Sequence, residues 1–401
     1  MNARSKLDPY TQLKFFSLFM YGSWSLLNPF LPLYFQHVGF QSMQIGILMS
    51  VGPMVSLIAN PFWGYWSDRL QNPRRIIIIM LIGNIVTSQL YFQSSQFAVV
   101  FSLMLLFYFF QTALNPISNS LTLYAIENTP YHFGTFRLWG SIGFAVMVLG
   151  ASPFIERAGI SNLGYFYGVS VIVTLLLSFG IPNQPKRAKK AAFPKGELSK
   201  VFMNVLFLSF LLLSVIISVP NRMNSNFISI YISEMGGSEV MVGWSWFIAA
   251  ALEVPLFMLL DRYLKLTERA MFGVMTIVCG LYALRWLLMG YADTPYQVLA
   301  IQLLHGFTFG ISYYTGTQIC NFLVPAAVRS TGQAIYGLCW MGVAGIISGL
   351  LGGWVYDTLG PTNMYVLSTI MAAAGTLGFC AIWLVFRARG RHAAAGHDGV
   401  E

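Results

Sequence analysis

The sequence predicts an all-α integral membrane protein of about twelve transmembrane helices arranged as two pseudo-symmetric six-helix halves. Three observations carry that expectation: an apolar composition, apolar stretches of spanning length, and landmarks that recur across the midpoint. Of 401 residues, 56% are hydrophobic and only 9% are charged, where an ordinary soluble domain carries about 25% charged residues. A span needs about 20 mostly apolar residues. Such stretches lie at 12–36, 43–67, 74–93, 97–124, 134–156, 161–181, 201–232, 239–261, 269–290, 295–321, 326–356 and 361–386.

Each stretch has its own markers. The first follows the charged start MNARSKLDPY, and its apolar run is too long for a signal peptide and has no small-residue cleavage site, so it is an uncleaved helix. It carries Pro29, the second carries Pro61 and ends in the loop GYWSDRLQNPRR (64–75), and the fourth has a polar stripe of Gln111, Asn115, Ser118 and Thr122 with Asn119 beside it. The fifth opens FGTFRLWGS with Arg137. After the sixth, the Pro- and Lys-rich PNQPKRAKKAAFPKGELSK (182–200) is a linker, which divides the chain into a bundle at 1–181, a second bundle at 201–386 and a tail at 387–401. The seventh stretch carries Pro220 with Ser218, Arg222, Ser225 and Ser229, and the eighth carries Glu253 and Pro255 before Asp261-Arg262. The ninth carries Arg285 in ALRWLLMG, the tenth His305 in QLLHGFTFG, and the eleventh is glycine-rich. Pro29 and Pro220, Pro61 and Pro255, and Asp68-Arg69 and Asp261-Arg262 pair at nearly constant offset, the mark of a duplicated unit.

The formal charge of +9 does not indicate nucleic acid, because the basic residues fall in alternate loops rather than on one face. Arg4, Lys6, Arg69, Arg74, Arg75, the linker, Arg262, Lys265, Arg269, Arg329 and the tail arginines share one side, and QHVGFQSM, QSSQ, SEMGGSE and YADTPY on the other carry no Lys or Arg. Only Arg157 departs. Both termini are therefore expected on the cytoplasmic side of the cell membrane. The four cysteines have no metal-ligand spacing and no reason to pair. No G-x-S-x-G, H-E-x-x-H or G-x-x-x-x-G-K-[ST] motif is present, so neither a membrane hydrolase nor an ATP-driven pump is indicated.

The loop GYWSDRLQNPRR resembles the cytoplasmic signature of the major facilitator superfamily, with Asp68 as its acid and Arg69 and Arg75 among its bases. Its step Leu70-Gln71-Asn72-Pro73 is longer than the usual one and lacks the second glycine. FGTFRLWGSIGFA, ALEVPLF, LRWLLMG and QLLHGFTFG together resemble the branch that contains lactose permease and the phenylpropionate and nucleoside permeases, and RLWGS, LRW and LLH look most like the phenylpropionate type. The resemblance implies a major facilitator fold with the first, fourth, seventh and tenth helices lining a central cavity, and a gating role for Asp68, Arg69 and Arg75. It sets Arg137, Glu253, Arg285 and His305 on the branch's functional positions. Two acids are missing. Asn119 stands where the fourth helix carries the acid that pairs with the arginine, and Thr308 stands where the proton-carrying acid follows the histidine.

An ionisable group in a span costs at least about 2.5–3.5 kcal/mol on insertion scales, so it is read as functional by default. Arg137, Arg222, Glu253, Arg285 and His305 are the candidates, joined by Asn28, Asn115 and Asn119 as polar groups on helical stripes. Such stripes also serve as glue between helices, and His305 alone also reads as a packing histidine. Arg137 without its acid favours a substrate carboxylate, which a guanidinium grips at two points. The expected function is proton-coupled symport of a small organic solute, foremost an aromatic monocarboxylate of the phenylpropionate type, with Glu253 and His305 as the coupling pair and Glu253 as the carrier. A neutral sugar or nucleoside symporter, an efflux protein and a transporter-like sensor are the alternatives. No cofactor and no metal are expected, and the partners are the substrate, protons and the bilayer, the chain acting as a monomer without nucleic acid.

Overall fold

The computed structural model describes residues 8–127, 129–181, 203–264 and 267–395, and all regular structure among them is helical. The expected linker at 182–200 and residues 396–401 of the tail lie outside the described residues. In hydrocarbon an unsatisfied backbone group is costly, so a spanning segment closes its own hydrogen bonds as a helix. Twelve helical stretches follow one another. They are α1 (Pro9–Val38), α2 (Ser42–Leu70), α3 (Pro73–Tyr91), α4 (Phe97–Ala125), α5 (Phe133–Ala158) and α6 (Leu163–Ser178), then α7 (Val205–Glu234), α8 (Glu239–Tyr263), α9 (Glu268–Gly290), α10 (295–323), α11 (Arg329–Leu359) and α12 (Pro361–Ala395). Eight of them, α2, α4, α5, α6, α7, α9, α11 and α12, are long and apolar enough to cross a membrane. Ile277 and Leu377 are each 73% exposed, as suits side chains that face lipid.

Local chemistry sets the breaks. Asp8 Oδ2 accepts from the Thr11 backbone at 3.1 Å and starts α1. The step between α2 and α3, where the loop signature lacks its second glycine, turns on Gln71 in the left-handed region at φ 47°. Glycine is the ordinary choice there. Asn72 Oδ1 then accepts from the Arg75 backbone at 3.1 Å and starts α3. Pro116 lacks an N–H and presses on the Thr112 carbonyl, so α4 breaks into Phe97–Gln111 and Leu114–Ala125. In α10 the segments Pro295–Ile301 and Ile311–Leu323 flank a wider, π-helical turn at Gly306–Gly310, immediately after His305. Such turns re-aim the side chains beside them.

The described chain forms two compact units. The first holds α1 to α6 with residues 225–247 of α7 and α8. Here α1 packs along α5 and α6, and α3 along α4 and α6. A buried chain of polar groups ties three helices: Tyr167 donates to Asn84 Oδ1 at 2.7 Å, and Asn84 Nδ2 donates to Gln111 Oε1 at 2.6 Å. The second unit holds the stretch up to Asn224 and the chain from Ile248 onward. Its core gathers Phe207, Phe210, Phe272, Met275, Tyr336, Trp340 and Phe379, and α9 lies along α12.

The α1–α5 crossing is close because Gly143 has no side chain. A Cβ placed there would collide with the backbone of Leu18, within 2.7 Å of its Cα. Overpacking of this kind costs about 1–3 kcal/mol or more, since backbone cannot rotate away. Gly143→Ala is therefore expected to lower the melting temperature of the purified protein by several degrees or to abolish its folding. Gly150→Ala, where a Cβ meets nothing within 4 Å, is expected to leave it unchanged. Equal effects at the two sites would contradict the crossing.

Candidate functional site

In the first unit the site grows from the same crossing. One helical turn beyond Arg137 lies Gly140, where a Cβ would sit 2.5 Å from Cδ2 of Tyr21. The missing side chain admits the Tyr21 ring, and Arg137 folds over its face, with the guanidinium carbon 4.5 Å from the ring centroid. The Tyr21 hydroxyl donates to Asn115 Oδ1 at 2.6 Å, and Asn119 Nδ2 donates to the same oxygen at 3.0 Å. Trp24 meets the Tyr21 ring edge-on at 6.0 Å. Arg137 is exposed, and among the described residues no carboxylate lies within ion-pair distance of it.

The polar stripe of α4 divides in two. Gln111 serves the buried link to Asn84 and so ties α4 to α3, while Thr122 donates to the Ser118 carbonyl of its own helix at 2.9 Å, so neither is turned to the Arg137 face. Asn115 and Asn119, past the Pro116 break, stay partly exposed beside Arg137. Asn28 is exposed on α1 and makes no side-chain hydrogen bond among the described residues.

In the second unit Arg285 is fully buried. One terminal nitrogen donates to Gln302 Oε1 at 2.6 Å and the other to Thr308 Oγ1 at 3.1 Å, while the guanidinium carbon lies 4.4 Å from the Trp286 ring. Thr308, standing at the missing acid's position, thus accepts from an arginine. Glu253 meets neither Arg285 nor Arg222 at ion-pair distance. Instead its Oε1 lies 3.5 Å from Nε2 of His305, which stacks on Phe309 with ring centroids 5.3 Å apart. The pair is half-open, with side-chain exposures of 28% for Glu253 and 12% for His305. Arg222 is half-buried midway along α7, and its Nε has no hydrogen-bond partner among the described residues.

The loop residues stand apart from each other. Asp68 is exposed without an ion pair among the described residues, and Arg69 reaches the Tyr65 hydroxyl at 3.3 Å and lies over Trp66. Arg75 is exposed, while Arg74, not singled out by sequence, donates to the Phe179 carbonyl at the end of α6. Tyr21, Gln302 and Trp286 are further participants that the stripes and the LRW segment contain but do not distinguish from their neighbours.

Helices long and apolar enough to cross a membrane that carry isolated charges along their length suit a membrane transport protein. The model of the MFS_1 like family matches residues 10–367, and the chain belongs to that family of major facilitator transporters. The maltose permease of Geobacillus stearothermophilus is 26% identical over 374 residues, covering 92% of this chain and 93% of that one. The "Probable 3-phenylpropionic acid transporter" of Escherichia coli (strain K12) is 22% identical over 372 residues, covering 90% and 94%. The crystal structure of the nucleoside transporter NupG has the same fold, with a TM-score of 0.83 at 18% identity over 95% of this chain and 99% of that one. These relatives are membrane transporters, not enzymes.

The Tyr21 hydroxyl orients Asn115 while its ring supports Arg137. Tyr21→Phe keeps the ring and deletes one hydrogen bond worth about 0.5–1.5 kcal/mol. Ligand affinity is expected to fall a few-fold with the melting temperature unchanged, measured by titration of the purified protein. Affinity equal to wild type would show that Asn115 is not held by Tyr21 for binding.

Proposed function

We propose that the protein is a proton-coupled symporter of a small organic anion of the arylcarboxylate type, such as a phenylpropionate. It works by alternating access in the cell membrane with both termini cytoplasmic, and residues 1–181 and 201–386 serve as its two halves. The observation that carries the choice of cargo is Arg137, an exposed guanidinium fixed over Tyr21 with no carboxylate among the described residues to neutralise it. A substrate carboxylate supplies the missing charge and matches the fork of two parallel donors. Trp24, half-buried against the Tyr21 ring, suits an aromatic ring. The Glu253–His305 contact in the second unit supports the reading of these two residues as the proton-coupling pair. A neutral sugar is the second reading. It is favoured by the amides of Asn115 and Asn119, which suit hydroxyl groups, and by a relative described as a maltose permease.

Two variants test the reading in proteoliposomes. Arg137→Lys keeps the charge and loses the fork, so the affinity for 3-phenylpropionate should fall about tenfold or more. Saturable maltose transport at wild-type rate in that variant, with no saturable acid transport in the wild type, would replace the anion by the sugar. Glu253→Gln should abolish saturable pH-gradient-driven accumulation and keep substrate exchange. If His305→Gln uncouples transport and Glu253→Gln does not, the proton-carrying role belongs to the imidazole.

A further inference from the structure

The end of the second unit where α9 begins and α12 ends carries arginines that neither the Arg137 clamp nor the Glu253–His305 pair uses. Two contacts join the helices there. The Phe272 and Phe386 rings stack with centroids 5.3 Å apart and 13° between their planes. Gly273 makes room for the Trp383 indole, whose Nε1 would lie 3.0 Å from a Cβ at that position. Arg387, one turn past Trp383, holds its guanidinium carbon 5.3 Å from the centroid of that ring. Its Nε is packed against protein, and its two terminal nitrogens make no hydrogen bond among the described residues, so the fork stands open. The half-buried Trp383 likewise has no acceptor for its N–H among them. Arg269 lies three residues before Phe272, exposed and without a partner among the described residues. Glu268 beside it is half-buried at the first position of α9 and pairs with neither arginine. The sequence adds Arg389 and Arg391 within the next turn of α12. Further in, the same two helices expose Ile277, Leu377 and Leu384. Topology alone asks only for charge. Here an indole fixes the plane of the Arg387 guanidinium and so the direction of its fork, which is how an arginine grips a phosphate at two oxygens.

We propose that Arg387, Trp383 and Arg269 form a binding site for the headgroup phosphate of an anionic phospholipid, whose acyl chains lie along the apolar outer surfaces of α9 and α12. The Arg387 fork takes the phosphate, the indole N–H is a further donor, and Arg269 adds the second positive charge. The exposed apolar side chains beyond the arginines fit a lipid rather than a soluble phosphate. The site does not depend on which cargo is carried.

The test uses the purified full-length protein in a neutral detergent and reads its melting temperature at constant ionic strength. Probes are phosphatidylglycerol, phosphatidylcholine with the same acyl chains, and inorganic phosphate. Phosphatidylglycerol is expected to raise the melting temperature by several degrees more than phosphatidylcholine, and inorganic phosphate to leave it unchanged. Arg387→Gln should raise the half-saturating concentration of phosphatidylglycerol about fivefold or more. Arg387→Lys should recover part of that loss, because an ammonium keeps the charge and lacks the fork. Arg262→Gln, which removes one positive charge at the end of α8, should keep the wild-type value. Arg387→Lys and Arg269→Gln, each weaker than wild type, decide the matter if Arg387→Gln does not fold. Equal shifts from the two lipids would overturn the proposal. So would an equal loss in Arg387→Gln and Arg262→Gln, the mark of general surface charge. A response to inorganic phosphate as large as that to phosphatidylglycerol would replace the lipid by a free anion.

Discussion

A guanidinium in the middle of a membrane protein has to find its counter-charge or its acceptors inside the protein, and this constraint organises the chain. Arg285 meets it at its two terminal nitrogens with neutral oxygens and lies against an indole face, sealed from solvent, while its Nε has no partner among the described residues. Arg137 meets it in part, resting on the Tyr21 ring and remaining exposed. Arg222 is half-buried, and its Nε has no acceptor among the described residues. The packing serves these placements. Gly140 makes room for the Tyr21 ring, Gly143 brings α1 against α5, and Pro116 breaks α4 just before the two asparagines.

The acidic side of the balance is correspondingly spare. Glu253 is half-exposed and contacts an imidazole rather than a guanidinium. The π-helical turn that begins at Gly306 directly follows His305, so the helix carrying the base is irregular where the pair forms. That irregularity also sets Thr308 toward Arg285. The Glu253–His305 contact and the sealed cation therefore share one stretch of α10.

Much of the architecture is legible in the sequence because lipid imposes a simple rule: apolar stretches of spanning length become helices. Paired prolines and the loop motif carry the family. Of the site, Arg137 without an acid follows from the family resemblance, which sets Asn119 where the branch carries a carboxylate. Which acid meets which base cannot be, because periodicity gives the face of a helix and not its neighbour. Glu253 and His305 are on different helices, and nothing local to either says that they approach within 3.5 Å. The stripe of α4 shows the same limit, since Gln111 and Asn115 look alike in sequence while one is bound to Asn84 and the other faces Arg137's ring partner. In the loop, Gln71 takes the left-handed turn that a glycine pattern would announce.

The central claim is that an uncompensated guanidinium selects an organic anion and that protons drive its movement. The most direct measurement is the initial rate of labelled 3-phenylpropionate uptake by proteoliposomes of the unmodified protein, taken above protein-free vesicles, with and without an inward proton gradient and with excess unlabelled maltose. Uptake that saturates, accelerates with the gradient and ignores maltose is the predicted result. Uptake of the acid no faster than in protein-free vesicles, alongside saturable maltose uptake, would contradict it.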